Sequence, residues 1–282
     1  MSDALPSQVK EPVIELRPES FGRNIVLALK DIFNGFKLWR LGWNLGWLDI
    51  KLRYRGSILG PFWITASTAV MIAAMGVLYA FLFHTNLREY LPFLTLSLVL
   101  WGYLNGILSD GCNSFTQAEN LILSIRLPYS VYIWRIVVRN FLILLHNLLV
   151  VIVVFLIFRI VPQQIYLLIP VTFIWFLNSI ALCILLGSLG TRFRDIPPVI
   201  NSLTQIFFFI TPIIWKPTLI FVNRQYMLLN PFYPLLEIFR GPILGETLRP
   251  SIWIFALGYS LLLWLIALLI FSKTRFRIAY WM

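Results

Sequence analysis

The side chains able to move protons, hold metals or attack carbonyls are few in this chain, and they are scattered. Its two histidines are His84 and His146, its two cysteines are Cys112 and Cys183, and Asp110 is the acid that falls inside an apolar run, near that run's end. A metal site needs several ligands at fixed spacing, and there is no C-x-x-C pair, no H-E-x-x-H and no D-x-D. We therefore expect no metal site and no catalytic residues. There is also no G-x-x-x-x-G-K-[ST] loop, so the chain carries no phosphate cradle of that kind. Asp110 fits two roles, a proton-coupling carboxylate inside a membrane or a solvated cap at its boundary. His146 and Asn147 fit either a pore lining or a helix–helix hydrogen bond. No cofactor is expected in this chain, and any energy it uses is expected to come from another subunit.

The elements that carry these residues are dominated by lipid-soluble sequence. Of 282 residues, 59% are hydrophobic and 12% are charged, against about 25% charged in ordinary soluble domains. A soluble globule could not hide that much apolar surface. The net charge of +11 is distributed between apolar runs, which fits anchors on anionic lipid and argues against a nucleic-acid partner. Hydropathy places spans at 62–84, 90–112, 134–158, 165–189, 199–215 and 252–271, each near the roughly 20 residues that a crossing helix needs. The fifth opens with Pro197-Pro198 and carries Asn201, Ser202, Thr204 and Gln205, so its entry half is expected to face other helices or a water-filled path. With six spans, 17 of the 23 Lys and Arg residues share the side that holds both termini, which places those termini in the cytoplasm. Lys51, Arg53 and Arg55, next to the first span, carry most of that orientation.

Four regions follow: a polar N-terminal tail (1–35), an amphipathic interface helix (36–57), the six-span domain (58–272) and a basic C-terminal tail (273–282). In the interface helix Phe36, Trp39, Trp43, Trp47, Ile50 and Tyr54 form one stripe, and Leu38, Leu41, Leu45, Leu48 and Leu52 a second. The tryptophans are expected at headgroup level and the leucines against protein. Gly42 and Gly46 each weaken the helix by about 1 kcal/mol. Between the second and third spans, 116–127 is a short amphipathic helix that ends before Pro128; it suits contact with a soluble partner or an ordinary surface position. The stretch 216–250 is apolar yet crowded with prolines, which predicts two short re-entrant helices at 217–222 and 234–241.

Four stretches then resemble one family. They are L-R-Y-R-G-S-I-L-G-P-F-W-I-T (52–65), N-L-I-L-S-I-R-L-P-Y-S-V (120–131), R-F-R-D-I-P-P-V-I-N-S-L-T-Q-I-F-F-F-I-T-P-I-I-W (192–215) and N-P-F-Y-P-L-L-E-I-F-R-G-P-I-L-G (230–245). In order and spacing they are similar to the permease subunits of type-2 ABC exporters, in the branch that exports polysaccharides such as O-antigen, capsule or teichoic acid. The resemblance implies an all-α homodimer in a bacterial inner membrane, with two separate ATPase subunits that bind ATP and Mg, and a lipid-linked polysaccharide as substrate. It makes Asn120, Leu121, Ile122, Ile125, Arg126 and Leu127 a coupling helix. It lines a channel with the first and fifth spans, for which the aromatic candidates are Phe62, Trp63, Tyr79, Phe81, Phe83, Phe207, Phe208, Phe209 and Trp215. Arg53 and Arg55 would receive a lipid pyrophosphate or simply anchor the helix, and Pro217, Pro234, Glu237 and Arg240 would belong to an external gate. A drug or small-lipid exporter of the same superfamily, a membrane-embedded glycan-assembly enzyme and a structural scaffold are the competing readings.

Overall fold

A computed structural model describes residues 21–58, 60, 62–217 and 224–282. Among them the secondary structure is helical throughout, with no strand. The α-helices are α1 (Phe21–Lys37), α2 (Trp39–Arg53), α3 (Phe62–Leu82), α4 (Leu87–Cys112), α5 (Glu119–Ser124), α6 (Ser130–Phe158), α7 (Leu168–Arg192), α8 (Ile196–Ile210), α9 (Arg224–Met227), α10 (Phe232–Leu244), α11 (Pro250–Thr274) and α12 (Ile278–Trp281). Among the described residues five stretches are long and apolar enough to cross a membrane: Phe62–Leu82, Leu87–Cys112, Ser130–Phe158, Ile165–Arg192 and Pro250–Trp281. The chain is a multi-pass membrane protein. α8 has 15 residues, about 22 Å at the α-helical rise, which is shorter than the ~30 Å hydrocarbon core.

α4 is the axis of the fold. Its apolar window is 78% buried, whereas that of α3 is 17% buried. α6, α7, α3, α8 and α10 all pack on α4. The close approach to α7 depends on Gly190, where an added Cβ would run into the Cys112 carbonyl. Local sequence sets the helix ends. The Asn86 side chain caps α4 by accepting from the Arg88 N–H at 2.9 Å, Pro250 opens α11, and Gly245 closes α10 at φ +77°.

Along the helices the structure departs from the sequence reading at several points. First, the expected polar tail contains α1, whose narrow buried face is Ala28, Asp31 and Gly35; residues 1–20 lie outside the described residues. A face made of a methyl, a carboxylate and a hydrogen has little hydrophobic signal. Secondly, the interface helix begins at Trp39 and ends at Arg53, and the face of α2 that meets protein is Gly42, Gly46 and Ile50, while Leu48 and Leu52 are exposed. The glycines win because they let α2 close on α6: a Cβ at Gly46 would lie 2.8 Å from the Arg135 carbonyl oxygen. Thirdly, the fifth apolar helix is Ile196–Ile210 and leaves Trp215 outside it. Pro212 disfavours helical ψ at the residue before it, and Thr211 is extended at φ −81°, ψ 138°. Fourthly, the expected helix at 234–241 is longer, Phe232–Leu244; its predicted companion at 217–222 falls, apart from Pro217, outside the described residues.

Candidate functional site

α1 and the last turn of α11 meet at one end of the helix bundle, where Arg275 pairs with Asp31, and the short connection between α4 and α6 lies there as well. This connection carries the predicted coupling residues. It is a 3-10 turn, Thr116–Ala118, followed by α5. Asn120, Leu121 and Ile122 lie in α5, but the helix stops at Ser124, and Ile125 is extended at φ −134°, ψ 130°. Ile125, Arg126 and Leu127 therefore belong to the exit turn, a correction to the single helix read from the sequence. Leu123, absent from that reading, is 61% exposed and completes an open apolar tip with Ile125.

Both ends of this tip are held by charge. At its entry, the Gln117 side-chain oxygen accepts from both terminal nitrogens of Arg139 at 3.4 Å. Arg139 also pairs with Asp110 at 2.8 Å and Asp49 at 3.3 Å. Arg135 grips Asp49 through two bonds of 2.7 Å, and Asn140 donates to Asp110 at 2.9 Å. Asp110 thus sits in an ion cluster that joins α2, α4 and α6, rather than alone among apolar side chains. At the exit, Asp31 of α1 accepts from the Tyr129 N–H at 3.3 Å and the Ser130 N–H at 3.1 Å, from 98 and 99 residues away. The Ser130 hydroxyl donates to the Asp31 carbonyl and is 2.9 Å from its carboxylate. Arg275 closes the group at 3.1 Å. A carboxylate at the N-terminus of α6 supplies the missing cap and complements the helix dipole. Burial raises the Tyr129 phenol above its ordinary value, so the group stays protonated beside these charges. Sequence reasoning missed Asp31, Asp49 and Gln117. For Asp31 and Asp49 the one visible signal was an acid placed among small residues on a helical face; Gln117 gave none.

The predicted channel aromatics divide into separate groups. Phe62, Trp63 and Phe81 are exposed on α3 and Phe209 on α8. Tyr79 stacks on Phe83 at 5.7 Å, and Phe83 meets Tyr90 edge-on at 6.2 Å. Phe208 packs on Trp101 at 6.1 Å and Phe207 on Phe232 at 5.0 Å. Trp215 donates from Nε1 to the Phe209 carbonyl at 3.0 Å. Beside Phe209, Asn201, Ser202 and Gln205 are exposed as well, and Thr204 is the buried residue of α8. His146 contacts Phe62 edge-on at 6.2 Å and bonds to the Leu142 carbonyl in its own helix at 2.7 Å. Arg53 and Arg55 are exposed at the end of α2 and just beyond it.

At the opposite end, α10 gathers three of the four gate candidates. Pro234, Glu237 and Arg240 are all buried. Arg240 donates to Glu237 at 2.7 Å, to Ser97 Oγ at 2.8 Å and to the Pro212 carbonyl at 2.8 Å, and its guanidinium lies 4.2 Å from the Phe93 ring centre. Pro212 frees the backbone at the end of α8, and Arg240 takes the exposed carbonyl. The Tyr90 hydroxyl does the same for the Ile214 carbonyl at 2.6 Å, and Asn230 donates to Thr211 Oγ1 at 2.8 Å. Pro217 lines a cavity of about 510 Å³ together with Lys216, Phe93, Glu237 and Arg249.

Residues 41–244 match the ABC-2 type transporter family. The chain belongs to that family. The match starts inside α2 and closes on the last residue of α10, so it contains α5, the Arg139 cluster and the Arg240 clasp but neither α1 nor α11. Among curated relatives, the O-antigen export system permease protein RfbA of Myxococcus xanthus is 25% identical over 197 residues, covering 68% of this chain and 76% of the relative. The protein of the same name from Klebsiella pneumoniae is 21% identical over 260 residues, covering 85% and 98%. As a member of the ABC-2 type transporter family, the chain is the transport subunit of an ABC transporter.

Proposed function

We propose that this chain is the permease of an ATP-driven exporter that moves a lipid-linked polysaccharide of the O-antigen type across a bacterial inner membrane, with both termini in the cytoplasm. The observation that carries the reading is the uncovered state of two membrane helices. α3 and α8, like α11, leave most of their surface open; on α3 it carries Phe62, Trp63 and Phe81, on α8 it carries Asn201, Ser202, Gln205 and Phe209, and neither α3 nor α8 has a charged residue. Sugar rings offer C–H faces to aromatic side chains, and many weak contacts let a polymer slide. In the proposed assembly two copies bring these helices together around a channel, α8 completes a sixth crossing, and α10 re-enters from the outside. Two ATPase subunits bind ATP and Mg and receive α5 with its exit turn. Arg53 and Arg55 take the lipid pyrophosphate at the entrance. The relatives named RfbA support the substrate class, and the placement of α10 between α4 and α7 supports re-entry.

Two measurements test this. Affinity purification from native membranes should return an ABC ATPase in equal amount; its absence sinks both the polysaccharide and the drug-exporter readings. Deletion of the gene should trap carrier-linked glycan inside the cell, and re-expression should release it. Normal surface glycan in the deletion strain would overturn the substrate assignment while leaving the ATPase partnership intact.

A further inference from the structure

A groove of about 350 Å³ runs along the outer side of α2, beside the first turns of α6. Phe36, Trp39 and Trp43 form one wall, Trp134 and Phe141 of α6 the other, and Phe176 of α7 closes it. Its walls present no polar atom. Trp134 braces it, with its ring 5.6 Å from Phe36 and 5.2 Å from Phe176. The groove exists because α2 meets α6 through glycine. Gly42 and Gly46 seat the backbone so closely that the tryptophans flanking them stay on the outer side, with Trp39 49% and Trp43 40% exposed.

Two cations lie close to it, one against a wall residue and one a turn before it. The Arg40 guanidinium lies 5.6 Å from the centre of Trp39, a wall residue, and Lys37 Nζ lies 4.8 Å from Phe33 one turn earlier. Among the described residues neither is paired with a carboxylate, in contrast to Arg135 and Arg139 on the same stretch of α6. An apolar slot flanked by unpaired cations, level with the point where α6 passes from charged to apolar surroundings, matches a lipid in both halves. We propose that it holds an anionic phospholipid of the leaflet that contains α2, with an acyl chain between the tryptophans and the phosphate on Arg40 and Lys37. A polypeptide occupant fits poorly, because the slot offers nothing to its backbone N–H and C=O groups. A second copy meeting this one through the same face would oppose like charges. No residue of α3 or α8 lines the groove, so the site is separate from the proposed export path and does not depend on it.

The test uses the full chain in phosphatidylcholine nanodiscs, doped with phosphatidylglycerol or with phosphatidylcholine carrying a photoactivatable acyl chain. Labelled peptides are mapped by mass spectrometry. The phosphatidylglycerol probe should concentrate on the segments holding Trp39, Trp43 and Trp134 relative to the lipid-facing surface of α11. Labelling there should drop about fivefold for each of Lys37→Gln and Arg40→Gln, the equivalent of roughly 1 kcal/mol per cation at a membrane surface. Both positions are exposed, so the variants should fold, and the phosphatidylcholine probe should be indifferent to them. Equal labelling of groove and α11, or equal labelling by the two lipids, would overturn the proposal. So would disulfide-linked dimers of Trp43→Cys, which would give the groove to a second copy.

Discussion

At the scale of single residues, Arg240 and Asp31 show how this chain spends its few charges. Each is buried, pairs with a charged side chain and also reaches backbone that the helices leave open: Arg240 the Pro212 carbonyl, Asp31 the amides of Tyr129 and Ser130. Removing one member of a buried pair strands the other, which typically costs 3–5 kcal/mol. Arg240→Met is therefore expected to lower unfolding stability by about 3–5 kcal/mol in detergent, and the double change with Glu237→Gln should recover part of the loss. Equal stability of the single and double variants in denaturant titration would show that Glu237 does not depend on Arg240. Neither residue's partners were legible in the sequence. Arg240 and Glu237 stood out as charges in an apolar stretch, but Ser97 and Pro212 are 143 and 28 residues from Arg240, and no local pattern links them. Asp31 carried still less signal, being an acid in what reads as a polar tail.

At the scale of elements, the long apolar helices were legible because twenty apolar residues in a row admit few other readings. Their contacts were less so. The interface helix displays two hydrophobic stripes, and a hydrophobicity argument chose the leucines, whereas contact went to the glycines between the stripes. Close packing selects for absent atoms, and hydropathy does not register them. Gly46→Leu should consequently push α2 off α6 and strain the Asp49–Arg135 pair, destabilising the protein by roughly 1–3 kcal/mol; an unchanged melting temperature would argue that α2 can yield freely. α5 gives the functional counterpart. It has only six residues, so Ile122→Pro, at about 3 kcal/mol in a helix interior, should dissolve it. The expected outcome is normal membrane insertion and continued ATP hydrolysis by the partner, with transport reduced at least tenfold. Wild-type transport in that variant would refute the coupling role. α8 stopped short for a different reason: Pro212 was visible, but the extension it forces on Thr211 removed Trp215 from the helix.

At the scale of the whole molecule, one chain leaves α3 and the open face of α8 without protein cover, while α4 is enclosed on nearly all sides. If two copies meet at these faces, Ser202→Cys should form a disulfide-linked dimer in native membranes under mild oxidation, and Leu261→Cys on exposed α11 should not. Cross-linking at both positions, or at neither, would place the contact elsewhere. The buried native cysteines, Cys112 and Cys183, should not interfere. The Asp31 cluster has a consequence for how such a molecule is made. Its three contributors come from α1, from the start of α6 and from Arg275, the last separated from Asp31 by 244 residues. A ribosome delivers them in that order. Until Arg275 emerges, Asp31 lacks its cation, and the start of α6 rests on the Asp31 contacts alone.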